Sequence, residues 1–179
     1  MNAIELIDKY YARTPELRAI LYQHSRLVAD RCLLIATRKP ELNIDVKFVE
    51  EAALLHDIGI LRTNAPDILC FGSAPYICHG YIGAEMLRAE GLPRHARVCE
   101  RHTGTGLSQQ QILENGWPIP PQDYFPETIE EQLVCYADKF YSKSHLGREK
   151  TPAKVLKSLA KYGEAGVERF RGWMNMFEA

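Results

Sequence analysis

The sequence predicts an all-α fold in a single domain, and three observations carry that prediction. Apolar residues recur at the helical period through most of the chain, and no stretch shows the strict alternation of a half-buried strand. Glycine and proline collect between the periodic runs. A length of 179 residues suits one domain, 1–179, with a substantial core.

The elements follow in order. Ile4, Leu6, Ile7, Tyr10 and Tyr11 give a first helix over 2–11. The run TPELRAILYQHSRLVADRCLLIATR opens a second, with Thr14 as N-cap and Pro15 at the first helical position. Along it Leu17, Ile20, Leu21, Leu27, Val28, Leu34 and Ile35 keep the period. Asp45 caps a third helix, VKFVEEAALLHD, which Gly59 is expected to end. Residues 62–78, with Pro66, Gly72 and Pro75, read as irregular. HGYIGAEMLRAE and PRHARVCERH follow as shorter helices, separated by Gly91-Leu92. Residues 104–125 are loop-rich around a short helix QQQILEN, and their prolines exclude an interior strand. PETIEEQLVCYADKFYSKS is a further amphipathic helix, and two helical segments over 152–175 close the chain.

Composition excludes several classes. A formal net charge of -1 gives no basic footprint for duplex nucleic acid and no polybasic membrane signal. No apolar run approaches the ~20 residues that span a bilayer. The start MNAIELIDKYY is amphipathic and contains acids, unlike a targeting peptide. Cys32, Cys70, Cys78, Cys99 and Cys135 are odd in number and lack C-x-x-C spacing. They are expected as reduced, mostly buried thiols of a cytoplasmic protein, with neither a disulfide framework nor a zinc knuckle.

The chemistry-bearing residues are imidazoles and carboxylates. His24 shares a face with Leu17, Leu21, Leu27, Val28 and Arg31, and so points inward; taken alone it reads as a core histidine with one partner. His56 and Asp57 close the third helix. They diverge by about 100°, so both reach one point only beyond the helix end. His79 starts one helix, His102 ends the next, and Asp138 sits among Tyr136, Ala137, Phe140 and Tyr141. A buried, unpaired carboxylate is strongly disfavoured. Singly each has a structural explanation; together, four imidazoles and two carboxylates from five helices are explained by a metal, as in bundle-core sites.

The ordered set His24, His56-Asp57, His79, His102 and Asp138 resembles the HD-domain superfamily of metal-dependent phosphohydrolases, over residues 14–146. ALLHDIG, HGYIGAEML, VCERHTGTGLS and YADKF carry the likeness, which is nearest to an HDIG subgroup with HTGTGLS after the last metal histidine. The resemblance implies an all-α bundle with the metal site in its core. It implies that His24, His56, Asp57 and Asp138 hold one ion, and that Asp57 bridges to a second held by His79 and His102. The ions implied are divalent transition metals, Fe or Mn first, with Zn, Co, Ni or Mg as alternatives.

There is one departure. Many hydrolytic members carry lysine directly after HDIG, where this chain has Ile60. Arg62 stands two places on and could reach the same phosphate, or could be a solvated loop residue. Lys139 and Lys143 could attract an anion, but are expected on a solvated face. Arg148, Lys150 and Lys154 are weaker phosphate candidates, TGTGLS is a weak anion loop, and His95 and His145 are expected on the surface.

The activity implied is hydrolysis of a nucleotide or other small phosphoester or phosphodiester by a metal-activated water, with Asp57 and Arg62 in catalytic roles. An HD-type mixed-valent di-iron oxygenase is the alternative. The missing lysine favours it, while the segment before His24 lacks an evident tyrosine–glutamate pair of the phosphonate-cleaving relatives. A metal-stabilised binding module without turnover is the third reading.

Overall fold

The computed structural model describes residues 2–179. Among them are nine α-helices: α1 (Ala3–Tyr11), α2 (Pro15–Arg38), α3 (Val46–Leu55), α4 (His79–Ala89), α5 (Pro93–Arg101), α6 (Gln109–Asn115), α7 (Ile129–Asp138), α8 (Pro152–Leu159) and α9 (Glu164–Glu178). The all-α reading holds. Local chemistry explains the starts. Asn2, Ser108 and Thr128 each accept from the N3 backbone N–H, while the N3 Glu or Gln side chain returns to the cap. Asp45 accepts from the Phe48 N–H at 3.1 Å. Thr14 occupies the cap position of α2, but its hydroxyl turns back to the Tyr11 carbonyl instead of capping. Pro15 supplies the start there.

Helix α2 packs along α3, and α4 along α5, while α7 contacts α2, α3 and α5. The buried stripe of α2 runs through Leu17, Leu21, His24, Val28, Cys32 and Ile35. Leu34 falls outside it, 48% exposed, because its direction lies away from the α3 face. Helix α9 is fastened to α7 by aromatic packing. The Tyr136 ring meets Phe170 at 5.0 Å and Phe177 at 5.3 Å, and the Trp173 indole donates to Gln132 at 3.1 Å. All five cysteines are buried and free. Among the described residues no helix is long and apolar enough to cross a membrane.

Two expectations need correction. Helix α3 ends at Leu55, with His56 at its C-cap and a 3-10 turn over Ile58–Arg62. Gly59 therefore lies inside that turn and does not stop the helix. Its role is close approach, since a Cβ there would overlap the His79 carbonyl oxygen and the Gly83 backbone of α4. The segment expected to be irregular also holds a small sheet, β1 (Thr63–Ala65), β2 (Cys70–Phe71) and β3 (Ala74–Pro75), in the order β2-β1-β3. β1 pairs antiparallel with β2 (Asn64 opposite Phe71) and parallel with β3 (Thr63 opposite Ala74). Strands this short give no readable alternation, and Pro75 fits because it ends an edge strand.

Candidate metal centre

Helix ends build the site. Asp57 follows the C-cap of α3, His79 opens α4, His102 is the C-cap of α5 and Asp138 is the last residue of α7; His24 alone comes from mid-helix, in α2. The turn after Asp57 is pinned by Tyr11, whose hydroxyl donates to the Ile58 carbonyl at 2.8 Å and accepts from Leu61 N–H at 3.3 Å. The fit of Gly59 against α4 then brings His79 to the doublet.

All six expected ligand residues converge. His24 Nε2 lies 2.9 Å from Asp138 Oδ1 and 3.1 Å from Asp57 Oδ2, and His56 Nε2 lies 3.0 Å from the same Asp57 oxygen. The other Asp57 oxygen, Oδ1, faces His102 Nε2 at 3.3 Å and His79 Nε2 at 3.4 Å. One carboxylate thus divides its two oxygens between two sets: His24, His56, Asp57 and Asp138, and Asp57, His79 and His102. Within each set the donor atoms lie within 4.8 Å of one another.

The rings are oriented from behind. His56, His79 and His102 each place Nδ1 on a backbone carbonyl, of Ala53 (2.6 Å), Tyr76 (2.7 Å) and Cys99 (2.6 Å). A ring that donates from Nδ1 presents Nε2 inward, the arrangement common to metal-ligating histidines. Cys99 and Cys135 donate to the carbonyls of His56 (2.9 Å) and His102 (3.4 Å). Burial pushes both thiols up, so they support the cluster as neutral groups.

The electrostatics are those of two buried carboxylates kept ionised by the cations around them. His56 Nε2 and both Asp57 oxygens are buried without an aligned hydrogen bond, which is costly for polar atoms. Burial would raise the Asp57 carboxyl, but His56 and Lys143 beside it hold it well below the usual carboxylate range. Burial opposes the charged form of His56 as well, yet Asp57 and Asp138 push it up to about 9. His79 is driven down to about 3, mainly by burial, and His102 is lowered for the same reason.

The lysines overturn one expectation. Lys139 and Lys143 are not on a solvated face, their side chains being 13% and 11% exposed. Lys139 Nζ lies 2.8 Å from Asp138 Oδ2 and donates to the His102 carbonyl at 3.1 Å; Lys143 Nζ lies 2.5 Å from Asp57 Oδ2 and 5.9 Å from the Tyr76 ring centre. Helix α7 ends at Asp138, so the chain folds back and Lys143 enters the site from a 3-10 turn. Arg62 is not brought to the cluster; its side chain is exposed at the far end of the Ile58–Arg62 turn. His145, Arg148 and Lys154 are exposed, whereas His95 is half-buried against the Phe48 ring at 4.9 Å, with Glu51 at 3.5 Å. A cavity of about 730 Å³ opens beside the cluster, lined by Asp138, Lys139, Lys143 and Lys150 among others.

The HD-domain family matches residues 21–142. The chain is 38% identical over 107 residues to an uncharacterised protein of Methanocaldococcus jannaschii, covering 59% of this chain and 56% of that one. It is 34% identical over 142 residues to a tRNA (cytidine(56)-2′-O)-methyltransferase of Thermoplasma volcanium, covering 79% of this chain and 36% of that one. The chain therefore spans between about a third and just over half of these relatives. Among solved structures it is similar to the HD domain of the L. monocytogenes phosphodiesterase PgpH, with a TM-score of 0.55 and 16% identity over 93% of both chains. The same domain in complex with cyclic-di-AMP gives 0.53 over 98% of both. At that identity the likeness is one of fold.

Proposed function

This chain belongs to the HD-domain family, and on that premise we propose that it is a metal-dependent phosphohydrolase acting on a nucleotide or another small phosphoester. One juxtaposition carries the reading: three lysines line the cavity that opens onto the His/Asp cluster. Cations at a cavity mouth favour an anionic substrate, and the cluster beneath has the donors that a divalent metal requires. Residues 1–179 are read as one such domain, with α8 and α9 packed on a core of 14–146.

The residues present fit the metal. The donor set is imidazole nitrogen and carboxylate oxygen without thiolate, which suits Fe, Mn or a similar divalent ion. The buried atoms of His56 and Asp57 that lack an aligned hydrogen bond, with the Lys143 ammonium drawn against Asp57, point to a place for positive charge. His24, His56, Asp57 and Asp138 would hold one ion, and Asp57, His79 and His102 a second. When bound, such a pair supplies Lewis-acid stabilisation of a phosphoryl oxygen and a water of lowered pKa.

The protein's own groups do the rest. Lys143 and Lys139 offer ammonium donors to the phosphoryl oxygens, in place of the lysine absent at Ile60. Tyr76 stacks on His79 at 4.6 Å and so holds that ring under the cavity. The Nδ1 contacts keep three imidazoles from turning, which preserves the site between turnovers.

Elemental analysis of protein purified without chelators, followed by a panel of phosphomonoesters and phosphodiesters, tests the reading. More than one metal ion per chain and turnover of at least one panel member are expected. A count at or below one after reconstitution with Fe or Mn would remove His79 and His102 from the site. Metal without turnover across the panel would leave a metal-stabilised binding module.

A further inference from the structure

The three lysines that line the cavity beside the cluster are not equivalent. Lys139 and Lys143 are each held by a cluster carboxylate, Asp138 at 2.8 Å and Asp57 at 2.5 Å. Lys150 has no such partner: among the described residues no carboxylate oxygen comes within 4.0 Å of its ammonium. Its neighbour Glu149 turns elsewhere, onto the Arg31 guanidinium at 2.5 Å. Asp67, the remaining acid of the lining, sits in the exposed turn after β1 and also stays beyond that distance.

The position of Lys150 is fixed by its backbone. Its N–H donates at 2.8 Å to the carbonyl of Phe140, a fully buried residue. The next residue, Thr151, caps α8 by accepting from the Lys154 N–H at 3.3 Å. The side chain thus leaves a chain anchored on both sides, and it is half-buried. Burial lowers its pKa below the ordinary lysine value, and the charges of Lys139 and Lys143 add to this against the pull of Asp138. A partly desolvated cation without a counter-charge favours an incoming anion.

The chemistry of the cluster engages one phosphoryl group, with Lys139 and Lys143 beside it. Lys150 is a cation beyond that requirement. We propose that Lys150 is a specificity residue that receives a second anionic group of the substrate, a phosphate or carboxylate separate from the phosphoryl group that reacts. The proposal rests on the phosphohydrolase reading for the place of the reacting group. An ammonium suits the task, since it offers three donors and meets either anion as a point charge.

Titration calorimetry on the metal-loaded protein tests the assignment. The probes are an alkylphosphonate, the same chain ending in a carboxylate, and the same chain ending in a second phosphonate, each in a series of lengths. At the length that spans the two groups, a doubly anionic probe should bind about tenfold tighter or more than the alkylphosphonate, the gain of one charge-assisted contact. Which of the two does so tells phosphate from carboxylate. Lys150→Met keeps most of the stem and removes the charge. It should abolish the preference and change the alkylphosphonate affinity by about threefold at most, the reach of a screened charge without contact. Lys150→Arg should retain the preference. So should Lys154→Met, at an exposed lysine outside the lining. No preference at any length, a preference that survives Lys150→Met, or an equal loss in Lys154→Met would overturn the proposal. Hydrolysis of a phosphoester without any preference would do so and leave the phosphohydrolase reading standing. A preference without hydrolysis would uphold the Lys150 site and remove that reading.

Discussion

His79 and His102 point their Nε2 atoms at each other across 3.0 Å, inside the protein. Each ring also places Nδ1 on a backbone carbonyl. A neutral imidazole that donates from Nδ1 carries its lone pair on Nε2, so two lone pairs face one another. Only a proton or a metal cation between them makes that contact favourable. Burial disfavours charge on either ring, which leaves the cation as the better occupant.

It follows that the two halves of the cluster should be separable. His102→Gln should lose about one metal equivalent and keep its helical circular dichroism, while His24→Gln should lose occupancy at the other half. Normal metal content in a folded His24→Gln protein would return that residue to the role of a core histidine.

Lys143 should matter and Arg62 should not. Charge-assisted hydrogen bonds are worth about 1.5–3 kcal/mol, so Lys143→Ala should lower kcat/KM roughly 10- to 100-fold at unchanged metal content. Arg62→Ala, at an exposed position, should stay within about twofold. Steady-state kinetics on the best panel substrate decides between them.

Gly59→Ala tests the link between fold and site. The added methyl meets the backbone of α4, which has no flexible end to move aside. Overpacking of this kind costs about 1–3 kcal/mol, and here it displaces His79. A lower Tm together with loss of metal is expected; an unchanged Tm would mean that the turn is not packed as described.

Metal binding should release protons. Asp57 and Asp138 hold His56 up to about 9 against the effect of burial, so in the metal-free protein its ring is charged at neutral pH. A ligating nitrogen must be unprotonated. Apparent metal affinity should therefore fall as pH is lowered from about 9, and calorimetry in buffers of different ionisation enthalpy should detect the proton released. An affinity independent of pH between 6 and 9, marks set by roughly the free and shifted histidine values, would contradict this.

The six residues of the cluster were legible because each marks a helix end or an inward face. His56-Asp57, His79, His102 and Asp138 stand where helical periodicity stops, and His24 shares a stripe with Leu21 and Val28. Lys143 was not legible. Its one-turn spacing from Lys139 suggests a solvated helix face, but α7 ends at Asp138 and the chain turns back. Gly59 looked like a helix stop because a sequence does not display the α4 backbone that it meets. The strands over residues 63–75 were hidden by their length of two or three residues, too short for alternation to register.

Phosphoester hydrolysis with the metal as a Lewis acid is set apart from oxygen chemistry by a single measurement. Turnover of the best panel phosphoester is followed in strict anaerobiosis with Mn, Co or redox-inert Zn, for the unmodified protein and for Asp57→Ala. Hydrolysis needs no electron transfer, so turnover should proceed without oxygen and with more than one of these ions. Asp57→Ala, which removes the carboxylate shared by both sets, should abolish it together with metal binding. Turnover seen only with iron and molecular oxygen would rule out the hydrolase, and would assign the same six residues to a di-iron oxygenase.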